Sequence, residues 1–389
     1  MMKRLILTFF ALVVAGCAAN EPSGPVLDEE LAASLHQQGD DDNDDDERGS
    51  GVVYTQSNET GANRVLIFAR ASDGTLEPAG SAATGGSGTG SGLGSQGAVV
   101  LGRAGNYLLA VNAGSNHLSS FRVKGDGRVT LVDVEGSGGS MPISVTTHGD
   151  LVYVLNAGGA GNITGFRVGR DGKLTPIANS ARPLSTAASG PAQVQFSPGG
   201  DLLIVSEKMT NVLSAYRVQR DGRAVGPIVN PSSGATPFGF AFDRRGHLLV
   251  SEAFGGAPDA SATSSYSVRR NGMLVVISPS VRTTETAACW LVITRDNRYA
   301  YVTNTGSASV TGYRIGRDGS LAILDADGKT GNTGMTPIDA ALSRGSRFLY
   351  TLDAGSHTIT AFRVNDDGSL ASVGQTPGIP AGAVGLAAR

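Results

Sequence analysis

Residues 299–304, Tyr-Ala-Tyr-Val-Thr-Asn, are followed after a short polar break by 309–315, Ser-Val-Thr-Gly-Tyr-Arg-Ile, then by Arg317-Asp318-Gly319 and a third run at 321–324. β-Branched and aromatic residues in short alternating runs, separated by turn-formers, spell a meander of antiparallel strands. Asp318-Gly319 is the sharpest punctuation in it. A two-residue hairpin turn needs positive φ, which Asp-Gly accepts cheaply, so the spacing predicts a tight hairpin there.

The same punctuation recurs at Asp73-Gly74, Asp126-Gly127, Asp171-Gly172, Asp221-Gly222, Asn271-Gly272 and Asp367-Gly368, at intervals of 45 to 53 residues. Ahead of most of them stands one strand pattern: Phe121-Arg122-Val123, Phe166-Arg167-Val168, Tyr216-Arg217-Val218, Tyr313-Arg314-Ile315 and Phe362-Arg363-Val364. A more apolar run precedes each, as at 107–112, 151–156 and 348–353, and a further strand opens the unit, as at 143–147, 192–197, 238–242, 290–294 and 338–343. Four strands per period of 40–50 residues is the signature of propeller blades.

The two ends decide between a ring and an open stack. The first unit begins at Val52-Val53-Tyr54, already in its second strand. The last unit is complete and is followed by 383–389, Ala-Val-Gly-Leu-Ala-Ala-Arg, which copies the opening-strand pattern of 338–344. The C-terminus is therefore expected to supply the missing strand and remove the sheet edges that an open array leaves. The expected fold is all-β: a seven-bladed β-propeller over residues 51–389, four antiparallel strands per blade, closed by the C-terminal strand.

Tyr301-Val302-Thr303-Asn304 reads YVTN, and with the seven repeats the chain from about residue 51 resembles the YVTN-repeat and lactonase-type seven-bladed propellers. That resemblance implies a relation to 6-phosphogluconolactonases and carboxymuconate lactonising enzymes, among many extracytoplasmic members. It carries fold further than activity, because chemistry lives in sites rather than folds.

Met1-Met2-Lys3-Arg4 and the apolar stretch 5–16 form a short basic start and a core of about a dozen residues, too short for a membrane span and suited to a secretory signal. The stretch ends in Val14-Ala15-Gly16-Cys17, which resembles the bacterial lipobox and implies cleavage before Cys17 and its acylation. Residues 1–16 thus read as a lipoprotein signal peptide. Residues 17–50, with the acidic run Asp40 to Glu47, read as a solvated tether, since like charges repel and bury nothing. The expected location is the cell envelope, extracytoplasmic and held to a membrane by the lipid. Ala18 stands where an inner-membrane retention signal would have Asp. Cys289, the other cysteine, lies in an apolar strand and reads as core.

The net charge is −3, with 31 Lys and Arg against 34 Asp and Glu, and no dense basic patch points to nucleic acid. No G-x-S-x-G, H-E-x-x-H, C-x-x-C-H or Walker pattern occurs, so neither cofactor nor metal is expected. Residues 80–97 contain a formal G-x-G-x-x-G, but it precedes a strand instead of opening a helix. A flexible linker over the channel mouth is the expected role.

Sorting side chains between the two faces of a ring sends Arg103, His148, Arg244, Arg245, His247, Arg295, Arg298, Arg344 and Arg347 to the face of the first hairpins. The opposite mouth, which the resemblance makes the lactonase side, receives Glu59, Glu207, Lys208, Met209, Glu252, Phe254, Asp259 and Asp353. At its rim come Met141, Gln193, Phe238, Trp290 and Met335. An acidic, aromatic mouth is expected there, with Lys208 and Arg182 as its cations. A phosphorylated ligand needs more positive charge, so weak or absent activity on 6-phosphogluconolactone is expected. The resemblance also implies His and Arg near Gln193 and near Phe238-Gly239, where this chain has neither. Glu252 is the candidate base; Glu207, Gln193, Phe238, Trp290 and Asp259 are candidate ligand contacts. Glu252 and Glu207 occupy the repeat position of Asn112, Asn156, Asn304 and Asp353, so a turn-stabilising role stands beside the functional one.

Two functions from different classes remain open on sequence: an envelope propeller binding a protein or a neutral, partly apolar ligand, or a diverged lactonase or cycloisomerase. A purely structural envelope protein is a third.

Overall fold

The computed structural model describes residues 49–102 and 105–389. The expected signal peptide, Cys17, nearly all of the expected tether and Arg103 lie outside the described residues. The described chain folds into seven antiparallel sheets, each built in chain order from an inner strand outward. The inner strands are Val99–Gly102, Pro142–His148, Pro191–Phe196, Pro237–Phe242, Ala288–Ile293 and Pro337–Leu342 for blades 2 to 7. The inner strand of blade 1 is Val384–Ala388, paired to Gly51–Gln56. Val53 faces Ala388, Tyr54 faces Ala387, and Val52 and Arg389 exchange backbone hydrogen bonds of 3.1 and 2.9 Å. Each inner strand touches the next around the full circle, so the ring is closed and its middle is a channel.

Apolar content sets the layers. Second strands such as Tyr107–Asn112, Leu202–Glu207 and Tyr299–Asn304 are buried along their whole length, sandwiched between neighbouring blades. Outer strands such as Leu76–Ala83 and Leu370–Pro377 are exposed or half-buried at nearly every residue. In blades 3 and 6 the outer edge is broken into two short pieces.

The seven Asp-Gly or Asn-Gly turns are longer than the sequence suggests. Ala71 N–H bonds Thr75 O and Gly74 N–H bonds Ala71 O, which makes a three-residue loop: a type I turn closed by glycine. Only the glycine carries positive φ, +95° at Gly74 and +85° at Gly319. The Asp, or Asn271 in one turn, sits one step earlier and accepts from the backbone N–H two residues on, at 3.0–3.1 Å in all seven. These turns also hold blades together. Tyr54, Tyr153, Tyr301 and Tyr350 donate their hydroxyls to Gly127, Gly222, Gly368 and Gly74 of the following blade. The tyrosine of YVTN is thus an inter-blade bolt.

Candidate functional site

The last residue of the second strand is fully buried in blades 2 to 7: Asn112, Asn156, Glu207, Glu252, Asn304 and Asp353. Each is hydrogen-bonded to a hydroxyl on the adjoining third strand, respectively Ser119, Thr164, Ser214, Ser264, Thr311 and Thr360. Several also take up the connection that enters the blade. Glu252 accepts from Gly234 N–H at 2.8 Å and from the Ser280 hydroxyl at 2.7 Å; Glu207 accepts from Ser185 N–H at 3.1 Å; Asp353 accepts from Gly334 N–H at 3.1 Å. A buried end-of-strand acceptor is what these loops need to satisfy their backbone.

Glu252 is therefore enclosed by donors and lies against Gly234, where an added Cβ would meet its Oε2 at 2.2 Å. Burial raises its pKa, against the lowering effect of Ser264, Ser280 and Gly234. Asp353 is pushed up to about 6 by burial in the same way. Glu207, Glu252 and Asp353 do not line an open mouth, so the expected acidic rim is reduced to the exposed Glu59 and Asp259. Asp259 stands apart from the others on the loop after blade 5's second strand, its N–H on the Thr286 hydroxyl.

The mouth itself is closed by the glycine-rich connection between blades 1 and 2, which is a packed cap and not a loose linker. It is first pinned by Asn58, whose carboxamide bonds Thr89 Oγ1 and Ser91 O. Leu93 then enters the core. Ser95 Oγ donates to Ile143 O of blade 3 at 2.8 Å, Gln96 N–H to Ala192 O of blade 4 at 3.1 Å, and Trp290 Nε1–H of blade 6 to Ser95 O at 2.8 Å. The Gln96 carboxamide crosses to Leu291 and makes both bonds with its peptide edge, at 2.9 and 3.1 Å. An inner strand has no partner on its channel side, so its N–H and C=O must find one. In the sequence Leu93 and Gln96 are the only residues of 80–97 that are not Gly, Ser, Ala or Thr; that was the available signal, and composition alone hid it. Gly239 is bare for the same reason: a Cβ there would meet Gln96 Oε1 at 2.2 Å.

Three of the sequence candidates come together beneath or beside this cap. Phe238 and Trp290 are buried with ring centroids 4.9 Å apart, and so are covered in place of forming an open platform. Gln193 pairs its carboxamide with both peptide groups of Phe240 across the blade 4–5 seam. Lys208 lies over the Phe238 ring, 4.7 Å from its centroid, and donates to Gly94 O of the cap at 2.6 Å. Met141 and Met335 are exposed. Asp339 occupies the blade 7 wall, fully buried, with its Oδ1 on Ala340 N–H and a further bond from Leu386 N–H of the closing strand. Burial drives its pKa well above the ordinary carboxylate value, against the lowering effect of the Ala340 and Leu386 N–H groups. Among the described residues no cluster of His, Cys, Asp and Glu is arranged for a metal ion.

Below the cap the channel continues as a cavity of about 300 Å³ lined by Phe240, Phe242, Leu291, Ile293, Leu342 and the amides of Gln96, Gln193 and Gln195. The cap thus closes one mouth of the channel and leaves this cavity facing the first hairpins.

The family model described as lactonase, 7-bladed beta-propeller matches residues 52–183, 177–254 and 259–384. No curated protein matches the chain in sequence. Among solved structures, a candidate 6-phosphogluconolactonase from Bacteroides fragilis superposes with TM-score 0.71 at 17% identity, over 90% of this chain and 100% of that one. A Lactobacillus plantarum protein gives 0.70 at 16%, over 87% and 99%. The periplasmic gluconolactonase of Pseudomonas aeruginosa gives 0.67 at 16%, also over 87% and 99%. At these identities the structural likeness is one of fold.

Proposed function

Because the chain belongs to the lactonase seven-bladed β-propeller family, we propose that it opens the ring of a small uncharged lactone in the capped half of its channel, with Lys208 as the electrophile. The observation that carries this is the contact between Lys208 Nζ and the Gly94 carbonyl, 2.6 Å long and set over the Phe238 ring. In the capped state a peptide carbonyl stands where a lactone carbonyl would take the same donor. When the cap lifts, the ammonium is already placed to stabilise negative charge on that oxygen. Water adds to the carbonyl carbon, the C–O bond of the ring breaks, and the ring oxygen takes up a proton, leaving a hydroxy acid. The substrate is unphosphorylated on this reading, since Lys208 and Arg182 are too few to hold a phosphate beside it. The Pseudomonas relative, named as a gluconolactonase, supports that substrate class. Glu252 has a structural part here, because its oxygens are taken up by Gly234, Ser264 and Ser280.

Glucono-1,5-lactone turnover above the spontaneous rate tests this. Lys208→Met is expected to lose about 10²-fold, the usual scale for one oxyanion donor, while Glu252→Gln keeps the rate. Background rates in wild type would sink the enzymatic reading. A second reading, ligand or partner binding without turnover, is favoured by the engagement of Glu207, Glu252 and Asp353 in blade contacts, and the same panel separates the two. We further propose the envelope location and a lipid at Cys17; mass spectrometry of the membrane-derived chain tests both.

A further inference from the structure

One end of the ring carries almost all of the molecule's positive charge, and the described chain begins there. In a four-stranded meander the first and third turns share an end, and here they interlock. The third-turn glycines Gly74, Gly172 and Gly368 sit against Phe348, Tyr107 and Tyr299, which open second strands of neighbouring blades. Among the described Lys and Arg residues, only Arg64, Arg182, Lys208, Arg282 and Lys329 lie away from this end. The cations of this end are scattered in sequence, a few per turn, so they form no dense basic stretch; the ring gathers them. The first turn of blade 7, residues 343–347, has two arginines and no acid. The third turn of blade 5 has Asn271 in place of Asp, beside Arg269 and Arg270. Arg220, Arg244, Arg269, Arg270, Arg295 and Arg317 are exposed and, among the described residues, have no carboxylate within ion-pair distance. The first turns of blades 5 to 7 also join into one surface: Arg244 N–H donates to Asn297 Oδ1 at 2.8 Å and Arg295 N–H to Ser346 Oγ at 2.9 Å.

Like charges gathered on one face repel, and a counter-charge laid across them is favourable. The counter-charge is next door. Arg70 donates to Gly49 O at 3.1 Å, which sets the start of the described chain at this end, and two residues before Gly49 stands Glu47. Glu47 closes the run Asp40 to Glu47, seven carboxylates in eight residues. We infer that this acidic run, which lies outside the described residues, is the ligand of the basic face, taken up across the turns of blades 7, 6 and 5. Guanidinium groups suit it, because each pairs two N–H donors with the two oxygens of a carboxylate. Reach allows it: from Asp40 to Gly49 an extended chain covers about 30 Å, and packed sheets stand about 10 Å apart. Covalent attachment gives the run an effective concentration on the order of millimolar, which a separate polyanion must exceed to displace it. An anionic membrane or a nucleic acid meets the same arginines, but also the repulsion of seven carboxylates rooted at that end.

Fluorescein-labelled octa-aspartate is the probe, its binding followed by anisotropy. Wild type is compared with a neutralised full-length variant in which the six Asp residues of 40–46 become Asn and Glu47→Gln is added. At about 0.01 M salt, where the Debye length is about 30 Å, the neutralised variant is expected to bind the probe roughly tenfold or more tighter than wild type, whose face is already filled. The difference should vanish near 1 M salt, where that length is about 3 Å. Adding Arg244→Gln, Arg269→Gln and Arg295→Gln to the neutralised variant should remove most of the gain. Equal affinities in wild type and the neutralised variant, or no saturable binding to either, overturns the proposal. Wild type that binds phosphatidylglycerol vesicles or duplex DNA as tightly as the neutralised variant does overturns it too, and assigns the face to that partner. Binding is read without lactone turnover, so this proposal and the enzymatic reading fail separately.

Discussion

Asp353 accepts from the Thr360 hydroxyl where Asn304, one blade earlier, donates its carboxamide N–H to the Thr311 hydroxyl, and Asp353 brings a buried charge to the position. Burial lifts the Asp353 pKa from 3.8 to about 6. An acid whose folded pKa lies above its unfolded value binds more protons when folded. Its contribution is therefore fully present below about pH 3.8 and is lost as the pH rises through 6. A rise of that size corresponds to about 3 kcal/mol. Asp353→Asn should thus leave stability near pH 4 unchanged and raise the melting temperature at pH 7.5, with the gap opening between those limits. A variant destabilised equally at both pH values would show that the carboxylate is needed as such. This equivalence was legible in the sequence, since Asn112, Asn156, Glu207, Glu252, Asn304 and Asp353 all end the same run. What the sequence left open was whether Glu252 had a second task, because two of the donors that enclose it come from outside the repeat pattern of its own strand: Gly234 from the connection entering blade 5 and Ser280 from that blade's outer strand.

At the scale of elements, the strands were readable and the cap was not. Alternation and the Asp-Gly spacing specify strands because each must bury one face between blades. Residues 85–97 carry no such periodicity. Their course is set by long-range hydrogen bonds, above all the Gln96–Leu291 pair, which join positions 195 residues apart. A Gly- and Ser-rich composition is equally that of a linker, so the expectation of flexibility followed from residues that reveal nothing of their partners. Gln96→Ala removes both bonds and leaves the Leu291 peptide edge unpartnered, at a cost of about 1–3 kcal/mol. The chain's single tryptophan reports on it, because Trp290 is anchored to Ser95 of the cap. Acrylamide should quench Trp290 weakly in wild type and several-fold more strongly in Gln96→Ala. Equal quenching would mean that the carboxamide does not hold the cap.

For the whole molecule, closure by the C-terminal strand fixes which residues share a face, and it was readable from the copy of 338–344 at 383–389. Deleting 384–389 strips the inner strand from blade 1 and exposes the edge of Gly51–Gln56. The truncated chain is expected to aggregate or melt far below wild type; an unaltered melt would mean that the ring does not depend on the clasp. Closure also creates the channel whose capped mouth holds the proposed lactone site. The most direct test of the central claim, a lactone site under the cap, is the rate of glucono-1,5-lactone ring opening by wild type, Gln96→Ala and Lys208→Met side by side. The account predicts turnover in wild type, a lower KM when the cap is loosened, and near-background rates without Lys208. Turnover that is indifferent to Lys208, or absent from all three, contradicts it.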